Sequence, residues 1–272
     1  MKQPHVLVVV PFKGAVDYCI NLIDSFKTLY ISGFTWSAIF WDDGSVEADL
    51  LGLYNHIQKS NPGIMIIKHN NQGYTKTCFD IFETFKADPR IDYLLLTNSD
   101  IKFRPASIHA MTKRIMSNAN IAVVGAKVLN YESDTIQHTG TIVDHSCENN
   151  VGNPYCGLDR LDPKTMKVER RLWAHGCSAM YNLDVLRKRN LNFDLNFTPA
   201  YFEESDLQTR LNAMGYPILY EPRAEVEHAV NASHRNERSK YTEAFWGNWK
   251  KYLDRWKDKI STDPIFDFGA SQ

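Results

Sequence analysis

The 272-residue sequence predicts an α/β fold with a mostly parallel central sheet flanked by helices. Two observations carry that expectation. In the first half, short apolar runs alternate with segments of helical period, the pattern of βαβ units. Three of those runs stop at polar clusters, 42–45, 70–73 and 98–100. In open α/β sheets, ligands bind outside the carboxyl ends of the strands, so these clusters are where a site is expected.

Taken in order, residues 5–10 are valine-rich, end at Pro11 and read as a buried parallel strand. Residues 15–30 have helical spacing, and 34–41 form a second strand that stops at Asp42-Asp43-Gly44-Ser45. A helix over 48–59 is closed by Asn61-Pro62-Gly63, and 64–68 form a third strand. After Asn70-Asn71-Gln72-Gly73, residues 74–85 read as a helix and 91–97 as a fourth strand. Pro105 suits the first turn of a helix reaching Met116, and 121–129 form a fifth strand. The second half is less regular: strands over 135–143 and 168–181 flank a loop at 145–165 rich in Asn, Gly, Pro and Asp. A helix over 202–214 is stopped by Gly215-Tyr216-Pro217, short strands follow at 218–220 and 224–228, and 240–260 is a final amphipathic helix.

Lys and Arg number 31 against 32 Asp and Glu, a balance that exerts no global pull toward nucleic acid. The five cysteines are widely spread with no CxxC pair, which argues against a zinc site or disulfide framework and fits a reducing cytosol. No signal peptide and no membrane-spanning run is expected. The sequons at Asn196 and Asn231 then read as chance matches.

Asp100 ends the fourth strand in Thr97-Asn98-Ser99-Asp100. A carboxylate there can hold Mg²⁺ or Mn²⁺ against a diphosphate; the plain alternative is a turn or helix cap. Asp43 can accept the ring N–H of a pyrimidine base, or simply make an Asp-Gly turn. Asn71-Gln72-Gly73 can face ribose or phosphate from a helix N-terminus, or make a glycine turn. Glu203-Glu204-Ser205-Asp206 opens a helix, where the macrodipole favours acids in any case. The functional reading is that one acid takes a proton from an acceptor hydroxyl while its neighbour, about 100° round the helix, does a different job. His228 ends a strand and can complete a metal site with Asp100, although a lone His is more often structural.

In this order the motifs resemble the family 2 glycosyltransferases with the GT-A fold. The resembling stretches are Val8-Val9-Val10-Pro11, Trp41 to Ser45, Asn71-Gln72-Gly73, Leu96 to Asp100, Gly176-Cys177-Ser178, Phe202 to Leu207 with Arg210, Gly215-Tyr216, and Pro222 through His228. They are similar to the branch with rhamnosyl- and galactofuranosyl-transferases, in which the metal motif often begins with Asn. The resemblance implies a Rossmann-like sheet with a smaller acceptor-side region. It divides the chain into a glycosyltransferase domain over 1–235, with a nucleotide-sugar half over 1–130 and an acceptor half over 131–235, and a helical tail over 236–272.

The resemblance also assigns roles. Pro11, Phe12, Asp43, Gly73, Asn98 and Asp100 would bind the donor nucleotide, a UDP- or dTDP-sugar. Asp100 and His228 would hold Mn²⁺ or Mg²⁺. Glu204 would be the general base of an inverting hexosyl transfer to a glycan or lipid-linked acceptor in surface polysaccharide biosynthesis. Glu203, Asp206, Trp173 and Gly176 would support the acceptor side. Three positions depart from the pattern: Asn98 replaces the first Asp of DxD, Glu204 replaces the usual Asp, and Phe79 stands where many members carry Asn. A nucleotidyltransferase and a non-catalytic sugar-nucleotide-binding module are the alternatives; the first lacks its Gly-rich, Lys-bearing loop here, and the second has no use for Glu204. Trp246, Trp249, Leu253 and Trp256 lie near one face of the last helix among five Lys and Arg. That face either packs on the domain, the preferred reading, or makes a peripheral contact through 240–260 at the inner face of a membrane.

Overall fold

The computed structural model describes residues 3–61, 63–229 and 238–267; the Asn231 sequon and the expected boundary at 235 lie outside them. The first half alternates as expected: β1 (His5–Phe12), α1 (Val16–Phe26), β2 (Thr35–Asp43), α2 (Glu47–Ser60), β3 (Met65–His69), α3 (Tyr74–Lys86) and β4 (Tyr93–Thr97). A short strand, β5 (Ile101–Phe103), then precedes α4 (Ser107–Met116) and β6 (Val123–Asn130). The second half holds β7 (Ile136–His138), β8 (Ile142–Val143), β9 (Val151–Gly152), β10 (Glu169–Arg171), β11 (Ser178–Asn182), α5 (Leu183–Arg189), α6 (Glu203–Ala213), β12 (Ile218–His228) and α7 (Arg238–Thr262).

Ten strands form one sheet, in the order β10-β12-β6-β11-β4-β1-β2-β3 with β5 on β12 and β7 on β6. β1 runs parallel to β2 and β4, β2 to β3, and β6 to β12. β11 lies antiparallel between β4 and β6. Alternate side chains of the central strands feed opposite faces. Val6, Val8, Val10 and Leu95 pack with α1, α2 and α4; Leu7, Val9, Leu94 and Leu96 pack with α3, α5 and α6. A helix on each face explains why β1 and β4 are apolar on both sides.

The second half departs from the sequence expectation in four places. The strand expected over 168–181 is interrupted at 172–177 because α6 takes over its hydrogen bonding. The Asn212 amide donates to the carbonyls of Arg171 and Leu172, and Gln208 Oε1 accepts the Ala174 N–H. The strand expected over 135–143 breaks at Gly140, whose φ of +89° disfavours any side chain. The two short strands expected at 218–220 and 224–228 form one, β12, whose pairing slips between Glu221 and Glu225, around Pro222. Helix α5 carries no strong period in the sequence; Asn182 starts it by accepting the Asp184 N–H.

The last helix docks on the body. Tyr252, Trp256 and Ile260 pack with Leu172, Trp173 and Phe197. Among the described residues, no helix is long and apolar enough to cross a membrane.

Candidate functional site

The carboxyl ends of β1, β2 and β4 open on a cleft of about 990 Å³. The 173–177 segment, the first turn of α6 and the N-terminal half of α7 complete its lining. Pro11, Phe12, Asp43, Asn98, Asp100, Trp173, Gly176, Glu203, Glu204 and His228 all line it. Two sequence-predicted site residues do not: Gly73 and Asp206 lie outside its lining.

On the β2 side, three loops lock together. Asp42 is fully buried and accepts both the N–H and the hydroxyl of Ser45, and Ser45 Oγ accepts the Gly14 N–H at 2.7 Å. A Cβ on Gly44 would meet Asn71 N at 2.7 Å, so glycine is what lets the 70–73 loop approach. Asp43 accepts the N–H groups of Gln72 (3.0 Å) and Gly73 (3.2 Å). Gly73 therefore organises the site from behind, packed on Pro199, rather than flanking a ligand itself; Asn71 and Tyr74 line the cleft in its place.

At the end of β4, Asn98 accepts the Tyr74 hydroxyl at 3.1 Å. Asp100 is 3% exposed, and its Oδ1 lies 3.4 Å from His228 Nε2. β5, which the sequence did not announce, pairs with β12 so that Ile101 stands opposite His228, and this register brings the two residues together. Gln137 Oε1 lies 2.7 Å from His228 Nδ1, while the Gln137 amide nitrogen donates to the His228 carbonyl. That arrangement places the imidazole proton on Nδ1 and leaves Nε2 a free donor atom toward Asp100. A carboxylate oxygen and an imidazole nitrogen at this spacing suit one divalent cation whose other positions go to phosphate and water. Among the described residues, no group of three or more His, Cys, Asp or Glu is placed to hold a metal.

Two further cleft histidines were not singled out in the sequence. His138 and His175 stand ring to ring (4.7 Å), and His175 stands against His228 (5.7 Å). Each accepts a backbone N–H at Nδ1, from Gly140 and Cys177 respectively. Burial pushes His138 down to about 4 and His175 well below its ordinary range, so both stay neutral. With His228 they come from three separate segments, and nothing local in the sequence marks that convergence.

The start of α6 lines the same cleft. Tyr201 and Phe202 both take positive φ (78° and 68°), and this turn aims the next two residues inward. Glu204 sits against Gly176, where a Cβ would come within 2.8 Å of Glu204 Oε1. Glu204 Oε2 is buried with no hydrogen-bond partner among the described residues. Glu203 also faces the cleft, and its Oε2 accepts the Thr75 hydroxyl at 3.1 Å, so the two acids share a location rather than dividing to separate faces. Burial, reinforced by the Glu204 charge, raises the Glu203 carboxyl well above its ordinary value; burial also raises Glu204. Asp206 turns the other way. It accepts Arg210 Nε, Arg255 Nη1 and Trp256 Nε1, and so clamps α7 to α6 rather than meeting an acceptor. Beyond Glu204, Tyr201, Phe202, Tyr241, Phe245, Trp246 and Trp249 form an aromatic wall of the cleft.

No protein-family model matches the chain. The uncharacterized protein y4gI of Sinorhizobium fredii (strain NBRC 101917 / NGR234) is 23% identical over 274 residues, covering 97% of this chain and 29% of that protein. Among solved structures, the chain is similar to GalNAc-T7 with UDP, GalNAc and Mn²⁺, with TM-score 0.68, 13% identity, and coverage of 97% of this chain and 53% of that one. It is also similar to the mannosyltransferase PcManGT from Pyrobaculum calidifontis in complex with GDP-Man and Mn²⁺, with TM-score 0.60, 12% identity, and coverage of 90% and 61%. The chain thus spans 29% to 61% of the lengths of these proteins. The two structural likenesses establish the GT-A fold.

Proposed function

We propose that the chain is an inverting glycosyltransferase of the family 2 type, moving a sugar from a UDP- or dTDP-sugar to a hydroxyl of a glycan or lipid-linked acceptor. One observation carries the reading: the partnerless carboxylate oxygen of Glu204 lies in the same cleft as the Asp100–His228 pair. A base and a candidate metal pair lining one cleft suit a transfer in which a hydroxyl loses its proton while a diphosphate leaves. Asp100 and His228 would hold Mn²⁺ or Mg²⁺, which when bound neutralises charge on a leaving diphosphate.

Glu204 takes the proton of the acceptor hydroxyl as its oxygen bonds to the anomeric carbon. The bond from that carbon to the diphosphate oxygen breaks, and its electron pair leaves with the diphosphate. Asp43 keeps spare lone pairs after its two backbone hydrogen bonds, enough to accept a pyrimidine ring N–H beside Pro11 and Phe12. The aromatic wall supports a sugar acceptor, whose apolar ring faces stack on such side chains.

The test is turnover of a panel of nucleoside-diphosphate sugars with oligosaccharide acceptors, by the wild type and by Glu204→Gln. Loss of a positioned base lowers kcat by about 10²–10⁴-fold. The expected result is such a loss with nucleotide affinity retained; near wild-type turnover in Glu204→Gln removes the assignment.

A further inference from the structure

We infer that His138 and His175 are the part of the cleft that reads the transferred sugar, each donating its ring Nε2–H to a hydroxyl oxygen of that sugar. The identity of the ligand rests on the glycosyl-transfer reading above; the two donors themselves rest on hydrogen bonding.

The backbone decides which nitrogen of each ring carries the proton. The Gly140 N–H donates to His138 Nδ1 at 2.8 Å, and the Cys177 N–H donates to His175 Nδ1 at 3.2 Å. A ring nitrogen that accepts a hydrogen bond holds a lone pair, so in both rings the proton sits on Nε2. His228 is built the other way: its Nδ1 faces Gln137 Oε1, and its Nε2 keeps the lone pair toward Asp100. The row of three rings thus offers one lone pair suited to a cation and two N–H groups that are not. Neither His138 Nε2 nor His175 Nε2 has a hydrogen-bond partner among the described residues, and both half-buried rings line the cleft. Such donors call for an acceptor supplied by a ligand.

The pair is held in a firm frame. The Leu172 N–H donates to the Thr141 carbonyl at 2.7 Å, and the Thr141 N–H to the Trp173 carbonyl at 2.8 Å. The buried Arg171 side chain donates to the Thr139 carbonyl at 2.9 Å. Gly140 permits this approach, because a Cβ there would meet the Arg171 side chain at 2.8 Å. The turn after β7 and the segment before His175 are therefore tied together before any ligand arrives, as discrimination between similar sugars requires.

Location selects the ligand. The His175 ring stands 5.7 Å from that of His228, and His175 directly precedes Gly176, on which Glu204 packs. The group that meets both a diphosphate at Asp100 and His228 and a base at Glu204 is the transferred sugar. His138, 4.7 Å from His175 ring to ring, is close enough to reach a second oxygen of the same sugar. Neutral N–H groups suit uncharged hydroxyls, and a site built on such hydrogen bonds rejects analogues that lack the hydroxyl.

Replacement by Asn and by Gln separates binding from structure. An Asn Oδ1 takes the place of Nδ1 and keeps the backbone hydrogen bond, but nothing stands where Nε2 was. A Gln amide nitrogen reaches the Nε2 place and gives up the Nδ1 acceptor. The measurement is calorimetric titration of the full chain in Mn²⁺ with UDP and dTDP, and with UDP-glucose, UDP-galactose, UDP-N-acetylgalactosamine and dTDP-rhamnose. His138→Asn and His175→Asn are each expected to keep nucleotide affinity and to bind the preferred sugar nucleotide about tenfold more weakly, the worth of a hydrogen bond left unmade. The matching Gln variants are expected to recover part of that loss while melting at a lower temperature. A merely structural role gives the reverse order, with Asn the better binder, and overturns the inference. An equal loss for nucleotide and sugar nucleotide places the donors on phosphate and also overturns it. So does a wild type that binds a nucleoside diphosphate but none of the four sugar nucleotides. A wild type that binds no nucleotide rejects the glycosyl-transfer reading and, with it, the sugar as ligand. Nitrogen-15 NMR of the ligand-free chain at neutral pH tests the donors apart from any ligand: both rings are expected as the Nε2–H tautomer, and the Nδ1–H tautomer or an imidazolium at either overturns them.

Discussion

Gly176 has no side chain where the base stands: any Cβ there would push into Glu204 at 2.8 Å. Single residues set this site in such ways, Gly176 by leaving room and Glu203 by its burial. The burial of Glu203 has a consequence for stability. Its folded value lies well above the ordinary 4.5. Below 4.5, folded and unfolded chains both hold the proton and the group contributes no pH dependence. As pH rises from there toward the folded value, only the folded state keeps the proton, so stability falls with pH. Glu203→Gln carries no such titration. Thermal unfolding from pH 4 to 8 is therefore expected to show a gain of the variant over the wild type that grows with pH; a gain independent of pH would mean that Glu203 titrates normally when folded.

Among the elements, α6 and α7 determine whether the cleft has a second wall. The buried Asp206 accepts from Arg210, Arg255 and Trp256, and the buried Asn248 amide donates to the carbonyls of Phe197 and Ala200. These bonds tie α7 to the turn that carries Glu203 and Glu204. The face bearing Trp256 packs on the body, which leaves Trp246, 61% exposed, at the mouth of the cleft. Trp256→Ala removes a 6% exposed ring together with its N–H bond to Asp206. The expected loss is about 3–5 kcal/mol in denaturant unfolding. A loss below about 1 kcal/mol would show that α7 is not an integral part of the fold, and would return its aromatic face to the membrane alternative.

At the scale of the whole molecule, what the sequence reveals is what chain order alone determines. The strand ends at 42–45, 70–73 and 98–100 are legible because an apolar run followed by Asp, Asn or Gly marks where a buried strand meets solvent. The GT-A sheet follows from the alternation of those runs with helices. The segment 172–177 is not legible, because Leu172-Trp173-Ala174 reads as strand until Asn212 and Gln208 claim its backbone from across the domain. Glu203 and Glu204 both line the cleft behind a turn in which Tyr201 and Phe202 take positive φ, a property no period reveals. The His138–His175–His228 row is likewise a product of folding, since it joins β7, the 172–177 segment and β12.

The most direct test of the central claim is calorimetric titration of the full chain with UDP and with dTDP, each in Mn²⁺ and in EDTA, repeated on Asp100→Ala. The account predicts that at least one nucleotide binds in Mn²⁺ and that both EDTA and Asp100→Ala weaken it at least tenfold, the lower end for loss of a group that tunes a metal site. Binding that ignores both changes, or no binding of either nucleotide in Mn²⁺, would contradict a cleft built around Asp100 and His228 for a nucleoside diphosphate.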